Sequence, residues 1–145
     1  MSDDDSALIA SRLSIAYMTA IASELSRTFP LDFLDLLLVG TIANFNASAA
    51  PVKPKRRGRP SKAPPLTAGI SRNAVSRALN VPLETVRRRV AVLIQKKVLR
   101  EQADGLVFQP ENPLALGSNT QFQAFNMEML RQLFRGLKAN GIKLD

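Results

Sequence analysis

A chain of 145 residues, 46% hydrophobic but only 6% aromatic, fits one domain of ordinary size with a mostly aliphatic core. It has no Cys, Trp or His. That excludes disulfides, thiol redox chemistry, His- or Cys-built metal sites and His-based acid–base catalysis. Ser–Lys or paired-carboxylate catalysis stays formally open, but no constellation of residues points to either. The expectation is a protein that is not an enzyme and uses no cofactor or metal. Net charge is +8, yet it sits in the middle: residues 51–110 carry 14 basic and 3 acidic side chains, whereas residues 1–50 are net −4 and residues 111–145 net +1. Such a footprint implies a polyanionic partner; a solubilising surface is the bland alternative.

In chain order, Asp3, Asp4 and Asp5 come first, then Leu13, Tyr17, Ala20, Ile21, Leu25 and Phe29 recur at helical spacing. Acids suit the positive end of a helix dipole. The pattern predicts a helix over 6–28, broken by Pro30. The start, MSDDDSALIA, is not the basic start and apolar run of a secretory leader. No stretch reaches the ~18 apolar residues of a membrane span. A cytoplasmic protein without membrane contact is expected. The next stretch, LDFLDLLLVGTIANFN, predicts a helix over 31–46. It is apolar nearly all round between Leu34 and Ile42, the mark of a helix central in a core.

From Ala47 to Pro65 the composition changes. Five of the nine prolines fall here, around the basic run KRRGRPSK at Lys55–Lys62. Proline density and charge oppose both helix and central strand, so a mobile linker is expected.

The following segment is LTAGISRNAVSRALNVPLETVRRRVAVLIQKKVLREQADGLVFQP. Ser71 is a good N-cap, and Val75, Ala78 and Leu79 share a face of a short helix over 72–79. Asn80 tolerates left-handed backbone angles, and Pro82 suits the first turn of a new helix. Val86, Val90, Leu93 and Ile94 form that helix's apolar stripe. Two helices on so tight a turn make a helix-turn-helix. VLREQADGLVFQ then reads as two short strands around an Asp104-Gly105 turn, with Leu66–Ile70 available as a small third strand. The end of the chain, SNTQFQAFNMEMLRQLFRGLKANGIKLD, predicts an amphipathic helix. Ser118 and Gln121 resemble a capping box, and Asn140-Gly141 the stop.

The fold class expected is mainly α with a small β-hairpin: a winged helix-turn-helix with long N- and C-terminal helices. Its regions are 1–46 (core and dimerisation helices), 47–65 (basic Pro-rich linker), 66–110 (winged helix) and 111–145 (dimerisation helix).

SRNAVSRALNVPLETVRRRVAVLIQKKVL, with the hairpin after it, resembles winged helix-turn-helix transcription regulators of bacterial type. The likeness spans Leu66–Gln109, about a third of the chain. Asn80 stands where Gly is usual and Pro82 where Ser is usual. The order of elements is similar to the MarR type, in which terminal helices form a homodimer and the wings flank it. The basic insertion is not part of that pattern. The resemblance implies a homodimeric, sequence-specific DNA-binding regulator, cytoplasmic and nucleoid-associated.

On the second helix of the motif, the face opposite Val86, Val90 and Leu93 carries Glu84, Arg88, Ala91 and Gln95, with Arg87 beside them. Glu84, Thr85, Arg87 and Arg88 are the major-groove candidates: Arg pairs bidentately with guanine and Glu accepts from cytosine. The alternative is a solvated face with Glu84 and Arg88 as an i, i+4 pair. Ser71, Arg72 and Asn73 lie at a helix start, where phosphate is favoured. Arg89, Lys96, Lys97 and Arg100 add charge for the backbone, although Arg89 equally suits bracing through a carboxylate. The hairpin tip, Gln102-Ala103-Asp104-Gly105, has no cation. The linker is expected to supply it: Arg57-Gly58-Arg59-Pro60, flanked by Lys55, Arg56 and Lys62, resembles the core of an AT-hook, in which Arg-Gly-Arg enters an A·T-rich minor groove. An electrostatic tether is the alternative. Against sequence-specific regulation stand an architectural DNA-binding protein of low specificity and a protein-interaction or effector-sensing module. No small-molecule effector is indicated, though a pocket between the terminal helices stays open as an alternative.

Overall fold

The computed structural model describes residues 1–49, 68–109, 111 and 119–145. Among them run α1 (Asp3–Thr28), α2 (Phe33–Ala49), α3 (Arg72–Leu79), α4 (Leu83–Gln95), β1 (Leu99–Gln102), β2 (Gly105–Phe108) and α5 (Thr120–Ala139). Among the described residues the fold is mainly helical with one small antiparallel hairpin. It divides into two compact units, Met1–Phe33 with Pro113–Asp145, and Leu34–Asn112.

In the first unit α1 starts at Asp3, three residues before the expected start. Ser2 is the cap: its Oγ accepts from the Asp5 N–H at 3.2 Å, and the Asp5 carboxylate accepts from the Ser2 N–H at 3.1 Å. The three acids therefore fill the first turn instead of preceding it, where the dipole favours them most. Leu13, Tyr17, Ala20, Ile21 and Leu25 are only half-buried. The Tyr17 hydroxyl donates to Asn126 Oδ1 on α5. At Gly136 an added Cβ would lie 2.9 Å from the Leu13 side chain, so Gly lets the two helices approach. The Phe29 and Phe122 rings close the end of this pair at 6.3 Å. The cap of α5 is Asn119, whose Oδ1 accepts from the Phe122 N–H at 2.8 Å. The expected cap, Ser118, lies outside the described residues. The stop is as predicted: Asn140 ends α5 and Gly141 takes φ +69°.

By length and composition α1 could cross a membrane, with an 18-residue window of mean hydropathy 1.2. This corrects the expectation that nothing in the chain is apolar enough. Ser and Thr interrupt the apolar run without lowering its mean hydropathy much.

In the second unit α2 buries one face only. Leu38, Val39 and Ile42 are buried, while Leu37 and Phe45 are exposed. The helix is apolar all round but not surrounded, so its predicted central place is corrected. Val75 of α3 and Val86, Val90 and Leu93 of α4 are fully buried. Each contributes roughly 1.5–3 kcal/mol of transfer free energy. Ala78, expected on that face, is exposed, whereas Leu79 is half-buried. Asn80 takes φ 52°, ψ 46°, and Ser76 Oγ donates to the Val81 carbonyl at 2.6 Å across the turn. Pro82 is the N-cap of α4, not its first turn: it is extended (ψ 137°), and its carbonyl accepts from the Val86 N–H at 3.1 Å. Lys97 then turns left-handed (φ 62°), with Val98 N–H donating to Leu93 carbonyl and Lys97 N–H to Ile94 carbonyl. This Schellman stop sends the chain straight into β1.

The hairpin pairs Leu99 with Phe108 and Gln102 with Gly105, so Ala103-Asp104 forms the turn and Gly105 opens β2. This moves the expected Asp104-Gly105 turn back by one residue. The proposed third strand is reduced, among the described residues, to one bridge between Ile70 and Leu106, with N···O distances of 3.1 and 2.8 Å. Gly105 (φ +135°) makes that bridge fit, since a Cβ there would lie 2.6 Å from the Ile70 carbonyl.

Candidate nucleic-acid interface

Glu84, Arg87 and Arg88 all lie exposed on α4, opposite its buried stripe, as the helical spacing predicted. Their pairing differs from the i, i+4 pair of the alternative reading. Arg87 Nη1 donates to Glu84 Oε1 at 2.7 Å, whereas Arg88 has no carboxylate partner among the described residues. Arg88 lines a cleft of about 350 Å³ with Asp35, Thr85, Arg89 and Val92. Thr85 is half-buried in it.

Arg89 is engaged as a brace, one of the two roles its sequence position left open. Its Nη1 reaches Asp35 Oδ1 at 3.2 Å, tying α4 to α2, and the Asp35 side chain is only 16% exposed. A partner that buried holds the guanidinium toward the protein. Ser71 Oγ accepts from the Ala74 N–H at 3.1 Å, so its hydroxyl is engaged as a cap. Arg72, the first residue of α3, pairs with Glu101 of β1. Asn73, Lys96, Lys97 and Arg100 are exposed. Arg77, in the last turn of α3, is exposed too and was missed by the sequence reading. Lys55, Arg56, Arg57, Gly58, Arg59, Pro60 and Lys62 lie outside the described residues.

The acid at the hairpin tip proves structural. Asp104 Oδ2 accepts from the Gly69 N–H at 2.8 Å, and Oδ1 accepts from Gln102 Nε2 at 2.7 Å. The Gly69 amide first, and the Gln102 amide second, hold its carboxyl below the usual range. A side chain at Gly69 would collide with Asp104 Oδ1 at 2.5 Å. The tip therefore grips the segment that precedes α3.

A second tie sits beneath it. Asn46 is 4% exposed, and its Nδ2 donates to the carbonyls of Ala68 (2.6 Å) and Leu106 (3.1 Å) while Oδ1 accepts from the Phe108 N–H (2.9 Å). Asn46 thus ties the end of α2 to the segment before α3 beside β2. Sequence reasoning missed this residue. The available signal was Leu38, Ile42 and Asn46 at i, i+4 and i+8, a polar residue in a buried apolar row.

In the first unit Leu13, Ala16, Tyr17, Ala20, Met129, Gln132 and Leu133 border a groove of about 220 Å³ between α1 and α5. Leu8, Ile15 and Met18 of α1 and Met127 and Phe134 of α5 are exposed. Among the described residues no cluster of carboxylates has the makings of a metal site. Compared with known proteins, the chain matches no family model, no curated protein and no solved structure.

Proposed function

We propose that the chain is a sequence-specific DNA-binding transcriptional regulator of the winged helix-turn-helix class. One observation carries the reading. α4 is locked by the left-handed Asn80 turn and a buried stripe, runs directly into a hairpin, and presents Arg88 to solvent with no carboxylate partner among the described residues. Such a helix meets the steric and chemical needs of a major groove. Glu84 and Arg87, preformed as a pair, would read neighbouring edges. Arg72, Asn73, Lys96, Lys97 and Arg100 would meet phosphates, with Arg77 added and Arg89 withdrawn to the fold.

Affinity for duplexes selected from a random pool, against unselected duplexes at several salt concentrations, tests this. A specific-to-random ratio of about 10³ or more is expected. A ratio near one would instead indicate an architectural protein. A folded protein that binds no duplex would point to an interaction or effector-sensing module.

The basic linker belongs to the same proposal as a minor-groove element. Support comes from its edges: Asn46 and Asp104 hold Ala68 and Gly69 beside the hairpin tip. Arg57→Lys with Arg59→Lys keeps the charge but adds hydration that a narrow groove strips off. A drop of about tenfold, or ~1.4 kcal/mol, is expected on A·T-rich flanks and none on G·C-rich flanks. Equal binding by both proteins on A·T flanks leaves only a tether.

Assembly as a homodimer through the terminal helices completes the reading, favoured by the exposed apolar residues of α1 and α5. Light scattering should give about 32 kDa, twice the 15.9 kDa chain. A folded monomer would rule out this arrangement. The protein would act on the nucleoid in the cytoplasm.

A further inference from the structure

We propose that Glu101 is a built-in competitor of the DNA backbone, pairing with Arg72 and so withholding one phosphate-contacting cation from random DNA. This rests on the DNA-binding reading above. Arg72 follows the Ser71 cap as the first residue of α3. Free N–H groups and the helix dipole favour phosphate at such a start. In the free protein, however, its guanidinium donates to Glu101 Oε1. Glu101 lies on β1, opposite Leu106, so the hairpin itself delivers the carboxylate to α3. The Arg72 hydrogen bond first, and its charge second, hold the Glu101 carboxyl below the usual range, so the competitor is ionised at neutral pH.

The pair is open to water: its side chains are 30% and 54% exposed. An exposed ion pair is weak. A backbone phosphate in the right register can displace the carboxylate, whereas loosely held DNA at a random register gains too little to do so. The carboxylate also repels any phosphate that approaches without displacing it. Three other acids of this unit are engaged elsewhere: Glu84 with Arg87, Asp35 with Arg89, and Asp104 with Gly69.

A brace between α3 and β1 would show the same contact, so the test must separate charge from connection. Glu101→Gln keeps a hydrogen-bond acceptor for Arg72 and removes the charge. Glu128→Gln makes the same change in net charge on α5, where Glu128 lies 3.8 Å from Arg131 and 4.0 Å from Arg135. The probe is a random-sequence duplex, with binding followed across salt concentrations and folding followed by thermal melts.

Glu101→Gln is expected to bind random duplex about three- to tenfold more tightly, with the log K against log salt slope steeper by about 0.9, the increment for one more neutralised phosphate. Glu128→Gln should change affinity less than about twofold, because its partners Arg131 and Arg135 are not among the phosphate-contacting residues of the reading above. Adding Arg72→Ala to Glu101→Gln should abolish the gain. Equal gains from Glu101→Gln and Glu128→Gln would reduce the effect to net charge and overturn the proposal. So would a gain that survives Arg72→Ala, or a lowered melting temperature with unchanged affinity. If the wild type binds random duplex and Glu101→Gln changes nothing, this inference alone fails. If the folded wild type binds no DNA, it fails together with the reading beneath it.

Discussion

Asn46→Ala is expected to destabilise the protein by about 3 kcal/mol, the cost of orphaning the Phe108 N–H and the Ala68 carbonyl. Two of its three hydrogen bonds go to groups with no other hydrogen bond among the described residues; the Leu106 carbonyl keeps the Ile70 N–H. The side chain is 4% exposed, so water cannot easily replace it. Thermal unfolding should read a Tm lower by roughly 6–12 °C, taking 2–4 °C per kcal/mol for a chain of this size. Asn46→Asp is the sharper variant. It preserves volume and the acceptor for Phe108, but turns a donor into an anionic oxygen facing two carbonyls. At neutral pH it should cost at least as much as alanine, with partial recovery as the carboxyl protonates. A Tm for Asn46→Ala within about 2 °C of wild type would show that the tie is not energetically significant.

Arg88→Ala should cost roughly 1–3 kcal/mol on a selected duplex and relax the preference at one base-pair position. The reason is geometric. Arg88 projects from the exposed side of α4, away from Val86, Val90 and Leu93, and is not committed to a carboxylate among the described residues. Arg87 must first leave Glu84, so its truncation should cost less. Lys96→Ala, at the C-cap of α4, should weaken all sequences alike and make the salt slope shallower by about 1. Selection on a randomised site, repeated with each variant, reads both effects. If Arg88→Ala lowers affinity for selected and unselected duplexes by the same factor, α4 does not read bases through this residue.

Local pattern carried much of the fold. The α3 limits, the left-handed Asn80, the buried row Val86, Val90 and Leu93, and the Gly141 stop were legible because each depends on neighbours within a turn or two. Small shifts came where two local solutions compete. Ser2 displaced Ser6 as the start of α1 because a reciprocal cap with Asp5 satisfies more N–H groups. Pro82 moved from first turn to cap, and the hairpin turn moved back by one residue because Gly105 is needed against Ile70. α2 misled for another reason: an all-round apolar sequence has no face to read, so only packing shows which side is covered.

By itself the sequence determined the inventory: helices by spacing, their stops by Asn, Gly and Pro, a basic middle, and no His or Cys for metal or redox chemistry. It could also place Glu84, Arg87 and Arg88 on one exposed face, since helical periodicity is a local property. Only the tertiary structure decided which charges are already spent. Arg89 goes to Asp35, 54 residues away, Arg72 to Glu101, 29 away, and Asp104 to Gly69, 35 away. Asn46 reaches Leu106 and Phe108 across 60 and 62 residues. The physical reason is that these ion pairs and buried hydrogen bonds join groups far apart along the chain, and short-range periodicity contains no term for them.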